Sequence, residues 1–363
     1  MLSYSEKCGK DAVLNTIVMA GAHDAGITQG GGNARTQKLN IRGQAMAGVR
    51  LFDLRIAAGR AHGRAADGTK NAELRTYHAD GAAKVQETKT RYVTDIGQNV
   101  QIEQSKIRAG TFGETLADIL EQAKAFVTYK NTEFLILKFD KCLNWPQVAE
   151  ACILLLGNKL YKGGGNLNLK TLDELAGWVI VVFTEEGQLA TNRTPADGIN
   201  GINNCNGGRP YAHAYDGLQY FGKGGTSLMG LSPINENRDR QKGLMRAGIQ
   251  CDPDAMGMMY WTSTGLVGNI KKRDKQMWTR TNNASLQKTW REGLGESIED
   301  RLNRSVHLPS GGNVMKSFMP NIIMIDFASE HRCRTIIDLN DVAGHDLMKL
   351  VNGDAEAEST SEG

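Results

Sequence analysis

The sequence predicts an α/β fold in one domain, a (β/α) barrel in preference to a doubly wound open sheet. Three observations lead there. Short β-type runs alternate with helix-type patterns through most of the 363 residues, as a sheet with helical crossovers requires. Several runs, such as Trp178 to Phe183 and Ile322 to Met324, are apolar at consecutive positions, which suits strands buried on both faces. Polar titratable residues recur where these runs end. With 40% apolar and 23% charged residues, the chain is long enough to bury a substantial core.

Taken in order, strands are expected at Asn15 to Ala20, Val49 to Ile56, Leu74 to Tyr77, Phe134 to Phe139, Trp178 to Phe183, Met258 to Trp261 and Ile322 to Phe327. A capping box at Thr111 to Glu114 precedes Leu116, Ile119, Leu120, Ala123, Phe126 and Val127, whose spacing places one apolar stripe on a helix. Asn144 caps the next helix, with Pro146 in its first turn and Gly157 at its stop. Thr171 with Glu174 opens a shorter one, and Ser285 to Arg304 and Ile336 to Val351 read as helices. The stretch from Thr184 to Met256 is rich in Gly, Asn and Pro with weak periodicity, which predicts long irregular loops. Glycine triplets at Gly30 to Gly32 and Gly163 to Gly165 mark turns. One domain therefore spans residues 1–351, and an acidic, disordered tail spans 352–363.

Charge excludes some functions. Lys and Arg number 43 against 40 Asp and Glu, a formal +3, and the tail holds only acids, so the body is mildly basic. Apart from Lys271 to Arg273 there is no basic cluster, and none is interleaved with aromatics, so nucleic acid is not an expected partner. No apolar run approaches the roughly 18 to 20 residues of a membrane helix. The first 20 residues mix Glu6, Lys7, Lys10 and Asp11 with apolar positions, unlike a secretion signal, so either no such signal belongs to the chain or it has been removed. Six cysteines are scattered without metal-ligand spacing,; Cys205 and Cys251 lie in polar sequence and could pair. Gly217 to Gly224 lacks the Ser or Thr of a phosphate-binding loop and reads as a plain loop.

The chemistry lies at the strand ends. His23 and Asp24 follow the first strand, Asp53 and Arg55 lie on the second, His78 follows Tyr77, Lys138 and Asp140 end the Phe134 to Phe139 strand, and Asp326 ends the last. A barrel brings such ends to one mouth. Two imidazoles, several acids and two cations there suit phosphoryl transfer: one imidazole takes a proton from a nucleophile, the other gives one to the leaving group, and the cations hold the phosphate charge. Taken alone, Asp53 and Arg55 also fit a structural ion pair.

Gly21-Ala22-His23-Asp24-Ala25-Gly26 resembles the first-histidine segment of phosphatidylinositol-specific phospholipase C X-domains. Gly48 to Arg55 is similar to the strand that follows, Tyr77-His78 to the strand of the second histidine, Thr115 to Phe139 to the next helix and strand, and Asn321 to Phe327 to a late strand bearing an aspartate. The resemblance implies a distorted TIM barrel. It implies His23 as general base oriented by Asp326, His78 as general acid supported by Asp24, and Lys138 as a substrate-contacting base. It further implies a cyclic 1,2-phosphodiester of inositol with diacylglycerol as the departing alcohol. Arg55 stands where a calcium-dependent enzyme carries metal ligands, so the metal-independent bacterial type is expected, with no cofactor. A phosphoinositide or related phospholipid at a membrane surface, an exported location and a monomeric state complete the expectation.

Rival readings are a metal-dependent glycerophosphodiester phosphodiesterase and a non-catalytic headgroup-binding barrel. His62-Gly63 rivals His78 as the second histidine, but His62 lies among Gly and Ala while His78 follows an apolar lead-in. Membrane docking through Met256, Met258, Met259, Trp261 and Lys271 to Arg273 competes with a core role for the first group and a solvated loop for the second.

Overall fold

A computed structural model describes residues 2–79, 84–106, 110–207, 209–224, 233–248, 251–252, 254–262, 269–279, 286–290 and 320–341. In chain order the strands are β1 (Met19–Ala22), β2 (Val49–Leu54), β3 (Ile56–Arg64), β4 (Lys70–Ala79), β5 (Lys84–Val93), β6 (Gln98–Lys106), β7 (Gly110–Thr115), β8 (Leu135–Phe139), β9 (Val179–Phe183), β10 (Ile199–Asn204), β11 (Gly217–Phe221), β12 (Met256–Trp261) and β13 (Ile322–Ile325). Eight of them close a barrel in the order β1-β13-β12-β11-β10-β9-β8-β2. Every neighbouring pair is parallel. The fold class is the expected TIM-type barrel.

Alternation along each strand divides the core in two. Leu51, Ile136, Ile180, Val182, Ile202, Leu218, Met258 and Met324 belong to a cluster that fills the barrel. Phe52, Leu137, Phe139, Val181, Phe183, Ile323 and Ile325 belong to a second cluster with the surrounding helices. Helix Leu116–Tyr129 buries Leu116, Ile119, Leu120, Ala123, Phe126 and Val127, the stripe its spacing predicts.

Between β2 and β8 the chain builds a second sheet, in the order β3-β6-β5-β4-β7 with β4 also paired to β3. This corrects two expectations. Leu74 to Tyr77 is not a barrel strand but part of β4, which runs antiparallel to β3 and β7; its alternating burial is that of a half-covered strand,. The residues Thr111 to Glu114 belong to β7, and the cap of the next helix is Thr115, whose side chain accepts from the Asp118 amide.

A third correction concerns Thr184 to Met256. The stretch holds β10 and β11, with helices Glu185–Thr191 and Pro233–Ala247, and the phosphate-loop mimic at Gly217 is β11. These strands were illegible because Asn200, Asn204 and Gln219 interrupt the apolar pattern. Asn144 does precede helix Trp145–Leu156, but its side chain pairs with the backbone of Glu103 instead of capping. Helix Glu330–Ile337 lies largely before the helix expected over Ile336 to Val351. Most of Ser285 to Arg304 and of Ile336 to Val351, and the whole tail, lie outside the described residues. No disulfide joins any of the six cysteines, so Cys205 and Cys251 are not bonded to each other. Met256, Met258, Met259 and Trp261 are fully buried, so they belong to the core and not to a docking surface.

One buried ion pair fastens the closed end of the barrel. The Arg50 guanidinium, wholly buried, donates through Nε to Glu133 at 2.8 Å and to the carbonyls of Ala45 and Val49. It lies 5.1 Å from the ring centres of both Tyr4 and Phe126. The other Glu133 oxygen accepts from the Ser3 hydroxyl and the Tyr4 amide. Removing one member leaves a buried charge, so Glu133→Ala is expected to cost about 3–5 kcal/mol in urea unfolding. A loss below about 1 kcal/mol would show that Arg50 finds water in its place.

Candidate active site

The strand ends bring most of the expected side chains to the barrel mouth directly. His23 and Asp326 stand one residue beyond β1 and β13, Arg55 one beyond β2, and Asp53 and Lys138 lie within β2 and β8 as register partners. Asp24 turns inward from a left-handed backbone at φ 43°, a conformation that Asp tolerates better than most residues. His78 arrives from the inserted sheet. The Tyr77 amide donates to the Arg55 carbonyl at 3.0 Å, which carries β4 past the end of β2.

That sheet touches the histidine loop through glycines. The Thr76 hydroxyl and the Glu114 amide both donate to the Gly26 carbonyl, at 3.1 and 2.9 Å. A Cβ on Gly113 would lie 2.1 Å from that carbonyl oxygen, and one on Gly26 would lie 2.5 Å from Thr76. Only glycine permits this approach.

Asp24 is the hub. Its Oδ2 lies 2.6 Å from His78 Nδ1 and 3.6 Å from His23 Nε2, and its Oδ1 lies 3.3 Å from Arg55 Nε. The last contact is a charge pair without hydrogen-bond alignment, leaving both atoms otherwise unpaired. Burial opposes its ionisation, but Arg55, His23 and His78 more than reverse that and hold it well below the usual carboxylate range. Asp24 raises Arg55 in return, so its guanidinium stays charged.

His23 Nδ1 pairs with Asp326 Oδ1 at 3.0 Å. Burial disfavours the imidazolium, yet the carboxylates of Asp24 and Asp326 outweigh it and push His23 up to about 9. On the other side of the mouth Lys138, buried, sits 2.6 Å from Asp53 and 3.4 Å from Asp140. Burial works against its charge, but those two acids keep it protonated. Asp53 thus pairs with Lys138 and Arg55 with Asp24, rather than with each other as a structural pair. Tyr260 stands edge-on to His23 with ring centres 6.2 Å apart. Burial raises the Tyr260 phenol well above its ordinary value and also raises Tyr220. His62 lies exposed in β3, apart from these contacts.

Several supporting residues carried no sequence signal. The Thr36 hydroxyl donates to the Asp24 carbonyl at 2.8 Å, and the Gln37 amide donates to the carbonyls of His23 and Ile325. Arg332 donates to the carbonyls of Asp326 and Phe327 at 2.7 and 3.0 Å, and its fork grips Asp274 at 3.0 and 2.7 Å. Burial pushes Asp274 up to about 7 despite that guanidinium. Phe327 is held at φ 46°, a strained value for a bulky residue. The contact of Gln37 with Ile325 spans 288 residues and that of Arg332 with Asp274 spans 58, while those of Thr36 and Gln37 with the β1 turn span 12 and 14, none of them a helix or strand spacing.

His23, Asp24 and Asp53 each offer a ligand atom within 4.8 Å of the others, a spacing that suits a metal ion. Arg55 and Lys138 already occupy two of those carboxylates, and fixed cations repel a metal. The donor set fits a cation-paired site better.

No family model and no curated protein matches the sequence. Among solved structures, the chain is similar to a phosphatidylinositol-specific phospholipase C from Staphylococcus aureus at 13% identity and a TM-score of 0.53, over 93% of this chain and 96% of that one. A second, from Listeria monocytogenes, matches at 13% identity and a TM-score of 0.48, over 91% and 94%. The likeness to the staphylococcal structure establishes the fold: this chain is built as that barrel.

The His23 environment can be read directly by proton NMR of the imidazole. Its titration is expected near pH 9 rather than 6.5, and Asp326→Asn should lower it by removing one of the carboxylate charges that raise it. A midpoint near 6.5 in the unaltered protein would contradict the pairing.

Proposed function

We propose that this protein cleaves a phosphatidylinositol-type phospholipid as a phospholipase C, with His23 and His78 as the acid-base pair. The observation that supports this reading most is the single carboxylate of Asp24 in contact with both imidazoles and the guanidinium of Arg55. In this reading His23 takes the proton from a headgroup hydroxyl beside the phosphate. The freed oxygen attacks phosphorus while the bond to the diacylglycerol oxygen breaks, and His78 protonates that leaving oxygen. Arg55 neutralises the phosphate oxygens, and Lys138 faces the headgroup. The product is a cyclic phosphodiester, because a hydroxyl held beside phosphorus competes at an effective concentration no water reaches. The enzyme would work at a membrane surface after export. Among the described residues no helix is long and apolar enough to cross a membrane.

His23 at about 9 has a chemical consequence. The resting ring holds its proton at neutral pH, so the reaction draws on the neutral minority. The limb of the kcat/KM profile that His23 sets then climbs with pH toward about 9.

The metal-cluster spacing keeps one alternative in view, a metal-dependent glycerophosphodiester phosphodiesterase. A phosphorus NMR time course on phosphatidylinositol vesicles, with EDTA present, separates the two. The expected course is a cyclic phosphate first and its slow opening later, unaffected by chelator. His23→Ala and His78→Ala should each lower the rate by roughly 100- to 10,000-fold, and His62→Ala should be mild. Activity lost to EDTA and restored by a divalent ion, with an acyclic first product, would favour the phosphodiesterase. No headgroup release under any condition would remove the phospholipase reading.

A further inference from the structure

A second concave site opens at the rim of the mouth. Its cavity of about 180 Å³ lies between the loop that follows β1 and the helix Ile270–Met277, and Arg35, Lys38 and Lys271 line it together with Asn269, Gly32 and Phe327. That space equals roughly six waters, enough for a phosphate group with part of an attached alcohol. None of the lining residues is acidic.

The cations are uncommitted. Among the described residues, none of Arg35, Lys38 and Lys271 forms an ion pair within 4.0 Å. Arg35 spends only its Nε, on the Gln37 carbonyl at 3.0 Å, so its terminal nitrogens are available. Lys38 feels the field of Asp274, but that carboxylate is held by the Arg332 fork. Lys272 is exposed next to Lys271, and Arg273 keeps a buried terminal nitrogen without a partner. Like charges gathered around a concavity raise each other's energy, and an anion relieves all of them at once.

The walls of the cavity are built rather than incidental. The Ile270 amide donates to the Gly32 carbonyl at 2.9 Å. A Cβ at Gly32 would lie 2.4 Å from the Asn269 side chain, so a larger residue there would push that side chain aside. The Phe327 amide donates to the Thr36 carbonyl at 2.7 Å. Arg35 and Lys38 flank Thr36 and Gln37, the two side chains that hold the backbone of His23 and Asp24.

We propose that this cavity is a binding site for a phosphate-bearing anion, separate from the Asp24-centred site. Its occupant bridges Arg35 and Lys38 on the loop to Lys271 on the helix. The same chemistry is offered by the headgroup of an acidic phospholipid next to the substrate and by free phosphate in solution. The proposal does not depend on the cleavage reaction, and its test uses binding alone.

Two probes are used: inorganic phosphate by titration calorimetry, and sedimentation with phosphatidylcholine vesicles with or without phosphatidic acid. Calorimetry in the Arg55→Gln background removes phosphate held by the catalytic guanidinium. In that background phosphate is still expected to bind, and Lys38→Glu with Lys271→Glu should weaken it at least tenfold. The neutral pair Lys38→Met with Lys271→Met should weaken it in the same direction, and circular dichroism reports whether each variant is folded. If vesicle binding falls in parallel and excess phosphate competes with it, the lipid headgroup is the source. If phosphate binding falls while vesicle binding is unchanged, the free anion is the source, and the site stands. Phosphate and vesicle binding both unaltered in folded variants would overturn the proposal.

Discussion

The contact on which the mouth of this barrel depends is the buried carboxylate of Asp24 against three cationic or protonatable groups. It is 3% exposed, so its charge is barely screened by water and is worth far more to its neighbours than at a surface. Arg55 offsets that charge permanently, whereas His23 and His78 do so only when protonated. The carboxylate touches both imidazoles at once. Removing its charge would free Arg55, lower His23 and leave His78 Nδ1 without its partner at 2.6 Å.

Much of the remaining architecture serves to keep that group in place. The left-handed turn at Asp24 is fixed on one side by the Thr36 hydroxyl and on the other by the Ala25 amide, which donates to the Asp53 carbonyl at 2.9 Å. The opposite strand end is fixed by Arg332 at the carbonyls of Asp326 and Phe327. The inserted sheet docks through Gly26 and Gly113, and this contact decides where His78 falls. Strained backbone at Asp24 and Phe327 flanks His23 and Asp326, the pattern expected when a scaffold holds reacting groups in a set geometry.

The sequence shows the barrel wherever strands are buried on both faces. Phe134 to Phe139 and Trp178 to Phe183 are apolar throughout, so their ends, and with them Lys138, were legible. The strands β10 and β11 were not, because amides at Asn200, Asn204 and Gln219 break the apolar runs that mark a buried strand. His78 does lie against Asp24, but its apolar lead-in belongs to an antiparallel strand outside the barrel and not to a barrel strand end. The partners of each charge were hidden as well. Asp53 and Arg55, two residues apart, suggest a pair, yet their side chains reach different neighbours, because the barrel sets Lys138 beside one and the β1 turn sets Asp24 beside the other. Thr36, Gln37, Asp274 and Arg332 act through irregular loop contacts, some local and some across 58 to 288 residues, for which a single sequence holds no pattern.

The claim that Asp24 couples the proposed acid-base groups is tested most directly by a double-mutant cycle on kcat/KM, using Asp24→Asn, His78→Ala and the two combined. If the carboxylate works through His78, the changes are not independent, and the double variant should fall within about threefold of the worse single variant. A double variant whose loss equals the product of the two single losses would contradict it, showing that Asp24 and His78 act separately.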